Sequence, residues 1–192
     1  MKEARRCALC GGRLSVEILP HYKELQIGVA VDLVDTVEES TCKQCGEKEV
    51  SIPDFNGLLR AIAVARVKLP IKLNGEEIRF LRKTLELTAK ELAAHISVRE
   101  ETISRWENNK EQISPPVEKL LRIYAAETLG AQTPGISIEE ILHMPTLRFR
   151  DTRKKLSLSL RYKQIAHPNK SSGTSSSKKR EFWEEIPLPD AA

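Results

Sequence analysis

The four cysteines of this 192-residue chain fall into two matched pairs, Cys7-Ala8-Leu9-Cys10 and Cys42-Lys43-Gln44-Cys45, each followed by glycine. A C-x-x-C turn can point two sulfurs at one spot. Two such turns supply the four soft ligands that a tetrahedral zinc ion takes at about 2.3 Å each. This restricts residues 5–50 to folds in which the turns meet, and the 31 residues between Cys10 and Cys42 leave room for two or three strands. Gly11 and Gly46 are expected to relieve crowding where backbone amides turn toward sulfur. So short a unit has little apolar core, and a bound ion would supply much of its folding free energy. Four sulfur ligands leave no open coordination position, which favours one structural Zn²⁺ over a catalytic one. Two other uses remain beside zinc: a redox dithiol, which usually opens a helix in a βαβ unit, and disulfides or unligated thiols. His21, His95, His143 and His167 show no ligand spacing.

No segment approaches the roughly 18–20 apolar residues of a membrane helix. Met1–Arg6 is polar and leads into a knuckle rather than an apolar signal segment. The expectation is a cytoplasmic protein without membrane association, in a reducing compartment where C-x-x-C pairs bind metal or exchange thiols. The formal charge is +4, unevenly spread: residues 147–180 hold eleven Lys/Arg against Asp151, and residues 181–192 hold Glu181, Glu184, Glu185 and Asp190 without a base. Such a basic run reads either as a phosphate-binding strip or as a solvated tail.

Val16–Leu19, closed by Pro20, and the alternation of Val29, Val31 and Leu33, resumed after a break at Val37, predict strands. Pro53 and Asp54 open a helix carrying Leu58, Leu59, Ile62 and Ala65, which ends before Pro70; residues 70–74 read as a hinge. Four helices follow. Asn74 with Glu77, and Thr88 with Glu91, form capping boxes. A third helix holds Thr102, Ile103 and Trp106. The fourth starts at Ser114-Pro115 and stops at Gly130, with Leu120, Leu121 and Tyr124 expected on its buried face. Ser137–Leu142 predicts a short helix. Leu156, Leu158, Leu160 and Tyr162 alternate as in a strand, with helix not excluded. The Ser/Lys-rich run from Pro168 to Lys179 predicts disorder.

The segment Leu85-Glu86-Leu87-Thr88-Ala89-Lys90-Glu91-Leu92-Ala93, followed by Ile103-Ser104-Arg105-Trp106-Glu107-Asn108, resembles the Cro/repressor (Xre) helix-turn-helix family over about 55 residues. That resemblance implies a third helix in the major groove of operator DNA and a homodimer reading paired half-sites. It places Arg99, Glu100, Glu101 and Arg105 against base edges, and Thr88, Lys90, Asn108, Asn109 and Lys110 against phosphate. Arginine can fork onto guanine, and glutamate can accept from cytosine. An ion pair between Arg105 and Glu101 is the competing use of that arginine. Ser97 stands where the family's turn glycine is common, at a cost on the order of 1 kcal/mol in a left-handed conformation. Residues 74–130 hold nine bases against ten acids, a weak balance for a DNA-binding face.

With the knuckles in front, the order resembles the YgiT-type, MqsA-like zinc-finger antitoxins over residues 5–130. The resemblance implies a zinc domain that grips a toxin protein, often a ribonuclease, and a domain that dimerises and represses its operon. The family asparagine four positions before the arginine is Glu101 here, which implies a different operator. The expected fold class is α+β: a small β-rich four-cysteine zinc domain (5–50), a linking helix and hinge (51–73), an all-α helix-turn-helix bundle (74–130), a basic extension (131–166) and a largely disordered tail (167–192). The expected function is a DNA-binding transcriptional repressor and antitoxin. The alternative is a protein-interaction adaptor that does not read DNA, with Phe182 and Trp183 as a docking motif. With no partnered nucleophile, glycine-rich phosphate loop or open metal position, an enzyme is not expected.

Overall fold

A computed structural model describes residues 5–23, 26–130, 136–145, 157–166 and 179–186. Its fold is α+β, and the chain divides into two compact units. One comprises residues 1–24, 32–55 and 159–192; the other comprises residues 25–31 and 56–158.

In the first unit, β1 (Leu14–Tyr22) and β2 (Ala30–Cys42) run antiparallel, from Leu14 opposite Cys42 to Tyr22 opposite Leu33. β3 (Lys48–Ser51) folds back on Glu38–Thr41 of β2. Pro20 does not close β1, as its sequence suggested. The pairing instead slips between Leu19 and His21, so that Pro20 faces both Asp35 and Thr36, and Asp35 takes φ 49°. Proline brings no N–H to the ladder and is tolerated at such an edge-strand bulge. The bulge also accounts for the break in alternation before Val37.

The sheet then continues with the far end of the chain. β4 (Ser157–Ala166) lies beside β2, and β5 (Lys179–Ile186) lies beyond it, giving the order β1-β2-β4-β5 with β3 also on β2. The expectation of a structureless tail therefore does not hold for residues 179–186. These residues pair with β4 in a register that puts Arg161 opposite Glu184 and Tyr162 opposite Trp183. Lys163 pairs with Glu184, the Tyr162 hydroxyl donates to Glu181 at 2.8 Å, and the Trp183 ring packs 5.2 Å from Tyr162. The charge reversal after Arg180 is thus cross-strand complementarity between a basic and an acidic strand. Trp183 is buried and donates its indole N–H to the Asp54 carbonyl, so it is not a free docking residue. The rest of the predicted basic run and tail, residues 146–156, 167–178 and 187–192, lies outside the described residues.

The second unit is helical: α1 (Phe55–Lys68), α2 (Gly75–Thr84), α3 (Ala89–His95), α4 (Glu100–Glu107), α5 (Pro115–Gly130) and α6 (Ile138–Leu142). Both predicted capping boxes form, Asn74 with Glu77 and Thr88 with Glu91. Leu58, Ile62, Leu81, Leu92, Ile103 and Leu121 are fully enclosed. Leu120, expected inside, is exposed.

The connection that includes the expected hinge, residues 70–74, is tied down by two arginines, each no more than 1% exposed. Arg122 donates to the carbonyls of Val67, Leu69 and Ile71 at 2.6–2.7 Å and to Glu118 at 2.8 Å. Arg66 donates to Ile71 and Lys72 and forks onto Glu77, with both contacts at 2.9 Å. Glu118 also accepts from the Leu73 amide, and Glu77 from the Asn74 amide. Every one of these buried charges is paired, as burial requires. The linking helix α1 falls within the helical unit.

Candidate metal centre and nucleic-acid interface

The two knuckles have the same backbone design. The Cys7 carbonyl accepts from Gly11 N–H at 2.9 Å, and the Cys7 amide donates to the Gly12 carbonyl at 2.9 Å. Likewise the Cys42 carbonyl accepts from Gly46 N–H at 3.0 Å, and the Cys42 amide donates to the Glu47 carbonyl at 2.8 Å. Gly11 and Gly46 sit at φ 71° and 75°. A Cβ at either would meet nothing within 4 Å. The left-handed backbone therefore calls for these glycines, not crowding. Crowding applies one residue later, where a Cβ on Gly12 would lie 2.9 Å from Gln44 and 3.1 Å from the Cys42 sulfur.

All four sulfurs lie within 4.8 Å of one another. Across the knuckles, Cys7 Sγ is 3.7 Å from Cys45 Sγ and Cys10 Sγ is 3.5 Å from Cys42 Sγ. A tetrahedron with bonds of about 2.3 Å has edges of about 3.8 Å, so the donor set fits zinc in kind, number and spacing. These separations are far longer than the roughly 2.05 Å of a disulfide, and all four cysteines are free. Local electrostatics prepare the site. Backbone amides of Cys45 and then Gln44 bring the Cys42 thiol down to about 6. The Glu47 amide favours a Cys45 thiolate, yet the neighbouring Cys10 and Cys42 sulfurs push that thiol up to about 12. Four thiolates at this spacing repel one another, and a divalent cation between them cancels that repulsion. When bound, the ion would tie the two knuckles together.

Three histidines have other partners: His21 contacts Asp32 at 3.0 Å, His95 stacks on Tyr124, and His143 meets the Glu139 carbonyl. His167 lies outside the described residues.

In the helical unit α4 is amphipathic. Ile103, Trp106 and Glu107 are buried, while Glu100, Glu101, Ser104, Arg105 and Asn108 form an exposed stripe. Arg99 is the N-cap of α4, exposed and without a side-chain capping bond. Arg105 pairs with Glu111 at 3.7 Å, where sequence spacing had suggested Glu101. Lys90 and Lys110 are exposed, and Thr88 Oγ1 caps α3 by accepting from the Glu91 amide at 3.2 Å. Asn108 and Asn109 already have tasks within the fold. Asn108 donates to the Ser104 carbonyl and accepts from Arg79, while Asn109 Oδ1 accepts from Gly75 N–H at 2.8 Å.

The angle of α4 is fixed from behind. Glu107 accepts from Arg82 through both oxygens, at 2.6 and 2.9 Å, and from Arg79 at 3.2 Å. Gly75 lets α2 approach closely, because a Cβ there would lie 2.4 Å from the Trp106 carbonyl. Sequence reasoning missed Glu107, Arg82 and Arg79. The signal available was the spacing of Glu107, four residues after Ile103 and next to Trp106, which puts an acid on the apolar face of the helix.

Residues 78–125, about a quarter of the chain, match the helix-turn-helix family model. No curated protein and no solved structure matches the chain. The segment carries the helix-turn-helix of DNA-binding regulators, and the four cysteines are positioned to coordinate a metal ion. Among the described residues no helix is long and apolar enough to cross a membrane.

Proposed function

We propose that this protein is a zinc-stabilised transcriptional regulator that binds operator DNA as a homodimer in the cytoplasm, represses transcription and serves as the antitoxin of a type II toxin–antitoxin pair. The observation that carries the DNA-binding part is the exposed stripe of α4, braced by Glu107 inside a segment matching the helix-turn-helix family. Arg99, Glu100, Glu101 and Arg105 read base edges, while Thr88, Lys90, Asn108, Asn109 and Lys110 sit against phosphates. The zinc unit presents its outer surface to the toxin. Support for that last role comes from the order of the two units and their resemblance to zinc-finger antitoxins.

Selection of bound fragments from genomic DNA by the purified protein, with a metal assay on the same sample, tests the reading. Arg105→Ala should weaken binding to the selected site by about 1–3 kcal/mol and relax specificity at one position. Undiminished binding by that variant would remove α4 as the reading helix.

The exposed acids at the start of α4, Glu100 and Glu101, favour one other reading, an adaptor that binds protein instead of DNA. Failure to enrich any DNA fragment while a chromosomally adjacent protein co-purifies would support the adaptor.

A further inference from the structure

The two sulfur contacts across the knuckles share a pattern that metal binding does not require. Each joins a buried cysteine to an exposed one, Cys7 to Cys45 and Cys42 to Cys10. The exposed cysteine of each pair lies on the side a small oxidant approaches, and the sulfur of its buried partner already waits at 3.5–3.7 Å. The backbone that presents the sulfurs also carries hydrogen bonds of its own. Each knuckle is closed by its own pair of amide–carbonyl bonds, and Leu14 opposite Cys42 anchors the base of both turns in the sheet.

We infer that the four-cysteine site is also a site of oxidative modification, in which a hydroperoxide replaces the metal clamp with two cross-knuckle disulfides, Cys7–Cys45 and Cys10–Cys42. An exposed sulfur attacks the peroxide oxygen, the O–O bond breaks and a sulfenic acid forms. The buried partner then attacks that sulfur and expels water. For the whole site, four zinc-bound thiolates, two hydrogen peroxide molecules and four protons give two disulfides, free Zn²⁺ and four water molecules. Each disulfide accounts for the two electrons taken by one peroxide. The sulfurs need to close by only about 1.5 Å to reach a disulfide length of about 2.05 Å. The knuckles therefore stay joined after the ion leaves. Oxidation thus removes the metal while keeping the unit closed, whereas chelation removes the metal and opens it.

The inference rests on the zinc reading, and the experiment separates the two. Zinc-loaded, full-length protein is titrated with hydrogen peroxide. Released zinc is followed with a chromogenic chelator, and linkages are mapped by tryptic digestion and fragmentation mass spectrometry. Trypsin cuts at Lys43, between Cys42 and Cys45, but leaves Cys7 and Cys10 together on peptide 7–13, so fragmentation between those two cysteines separates the two cross-knuckle pairings. The expected result is stoichiometric zinc release that tracks Cys7–Cys45 and Cys10–Cys42 linkage, reversed by a thiol with added zinc. Because a cysteine variant would itself lose metal and fold, the second measurement keeps the native ligand set. Limited proteolysis should cut the N-terminal unit after chelation under reducing conditions but not after peroxide. Linkage within a knuckle, linkage of Cys7 to Cys42, conversion to sulfinic acid, or proteolysis at the same rate after peroxide as after chelation would each overturn the proposal. A sample without zinc at the outset would defeat the metal reading alone, and the disulfide pairing would still be read from the same spectra.

Discussion

In the sheet unit no residue of β1 or β3 is buried, and the enclosed side chains lie mainly on β2 and on β4–β5. In the helical unit α1 alone buries eight residues, Arg66 among them, while α2 and α4 each enclose one charged residue and α5 encloses two. The first unit encloses few apolar side chains and gathers four cysteine sulfurs at one point. The second has a continuous core and uses paired buried charges to fix the connections between helices. Strand edges and tight turns can be arranged around an ion with very little core, at the cost of depending on that ion. Helices that must present one face to a partner need the reverse, a scaffold whose geometry no ligand controls.

Removal of the metal is the strongest way to break this contrast. Structural zinc contributes on the order of 10 kcal/mol of apparent folding free energy in small modules. Chelation, or Cys42→Ser, should release the ion and unfold the sheet unit, seen as protease sensitivity at residues 5–50. Melting of the helical unit and DNA binding should stay largely as they are. Joint loss would show that the helical unit leans on the sheet.

The mirror experiment is Arg122→Ala. It strands Glu118 in the core and frees the carbonyls of Val67, Leu69 and Ile71, and breaking a buried pair of this kind costs about 3–5 kcal/mol. Denaturant unfolding of the helical unit should register the loss while zinc content stays at one ion per chain. A drop in zinc content would contradict the division into two separately stabilised units.

Glu107 sharpens the comparison through pH. Burial alone would raise its pKa, but Arg82, and then Arg79, hold it below the usual carboxylate range. A pKa depressed by folding means that the stabilisation is present above the unfolded value, near 4.3, and is lost as pH falls through the lower folded value. Glu107→Gln should cost about 1.5–3 kcal/mol at neutral pH. The difference from the unmodified protein should shrink on acidification through that window. A cost that is independent of pH would mean that shape, not charge, is what Glu107 supplies.

Much of this organisation is legible in the sequence because it is local. The knuckles, both capping boxes and the Ser114-Pro115 start depend on residues within five positions of one another. The return of β4 and β5 to the sheet is not legible, because Arg161 finds Asp35 and Tyr162 finds Thr36 across 126 positions. The charge reversal at Arg180 was visible, but nothing local says that it closes a strand pair. Nothing local marks Arg66 and Arg122 as core residues, because the carbonyls of Val67, Leu69, Ile71 and Lys72 converge on them only in the fold. The convergence of the four cysteines was readable and the reason for the glycines was not, since sequence alone does not separate a positive φ from a crowded Cβ.

The smallest expected effect lies in the turns of the helical unit. Each of α2, α3 and α4 ends in a Schellman motif, in which the third residue past the helix donates back to the third-last carbonyl: Leu87 to Arg82, Val98 to Ala93 and Lys110 to Arg105. The left-handed position is usually glycine. Here it is Glu86 at φ 59°, Ser97 at 56° and Asn109 at 54°. Asparagine tolerates that conformation best of the three, and Asn109 Oδ1 also accepts from the Gly75 N–H at the start of α2. Serine has no such compensation in the turn between α3 and α4. Ser97→Gly should therefore stabilise the helical unit by about 1 kcal/mol, the steric cost of left-handed backbone less glycine's extra entropy when unfolded. The gain should appear as a small rise in the melting temperature of that unit alone, with metal affinity unchanged. Destabilisation would mean that the stiffness of Ser97 in the unfolded chain outweighs its strain, and that the turn preceding α4 is held by its hydrogen bonds rather than by its backbone preference.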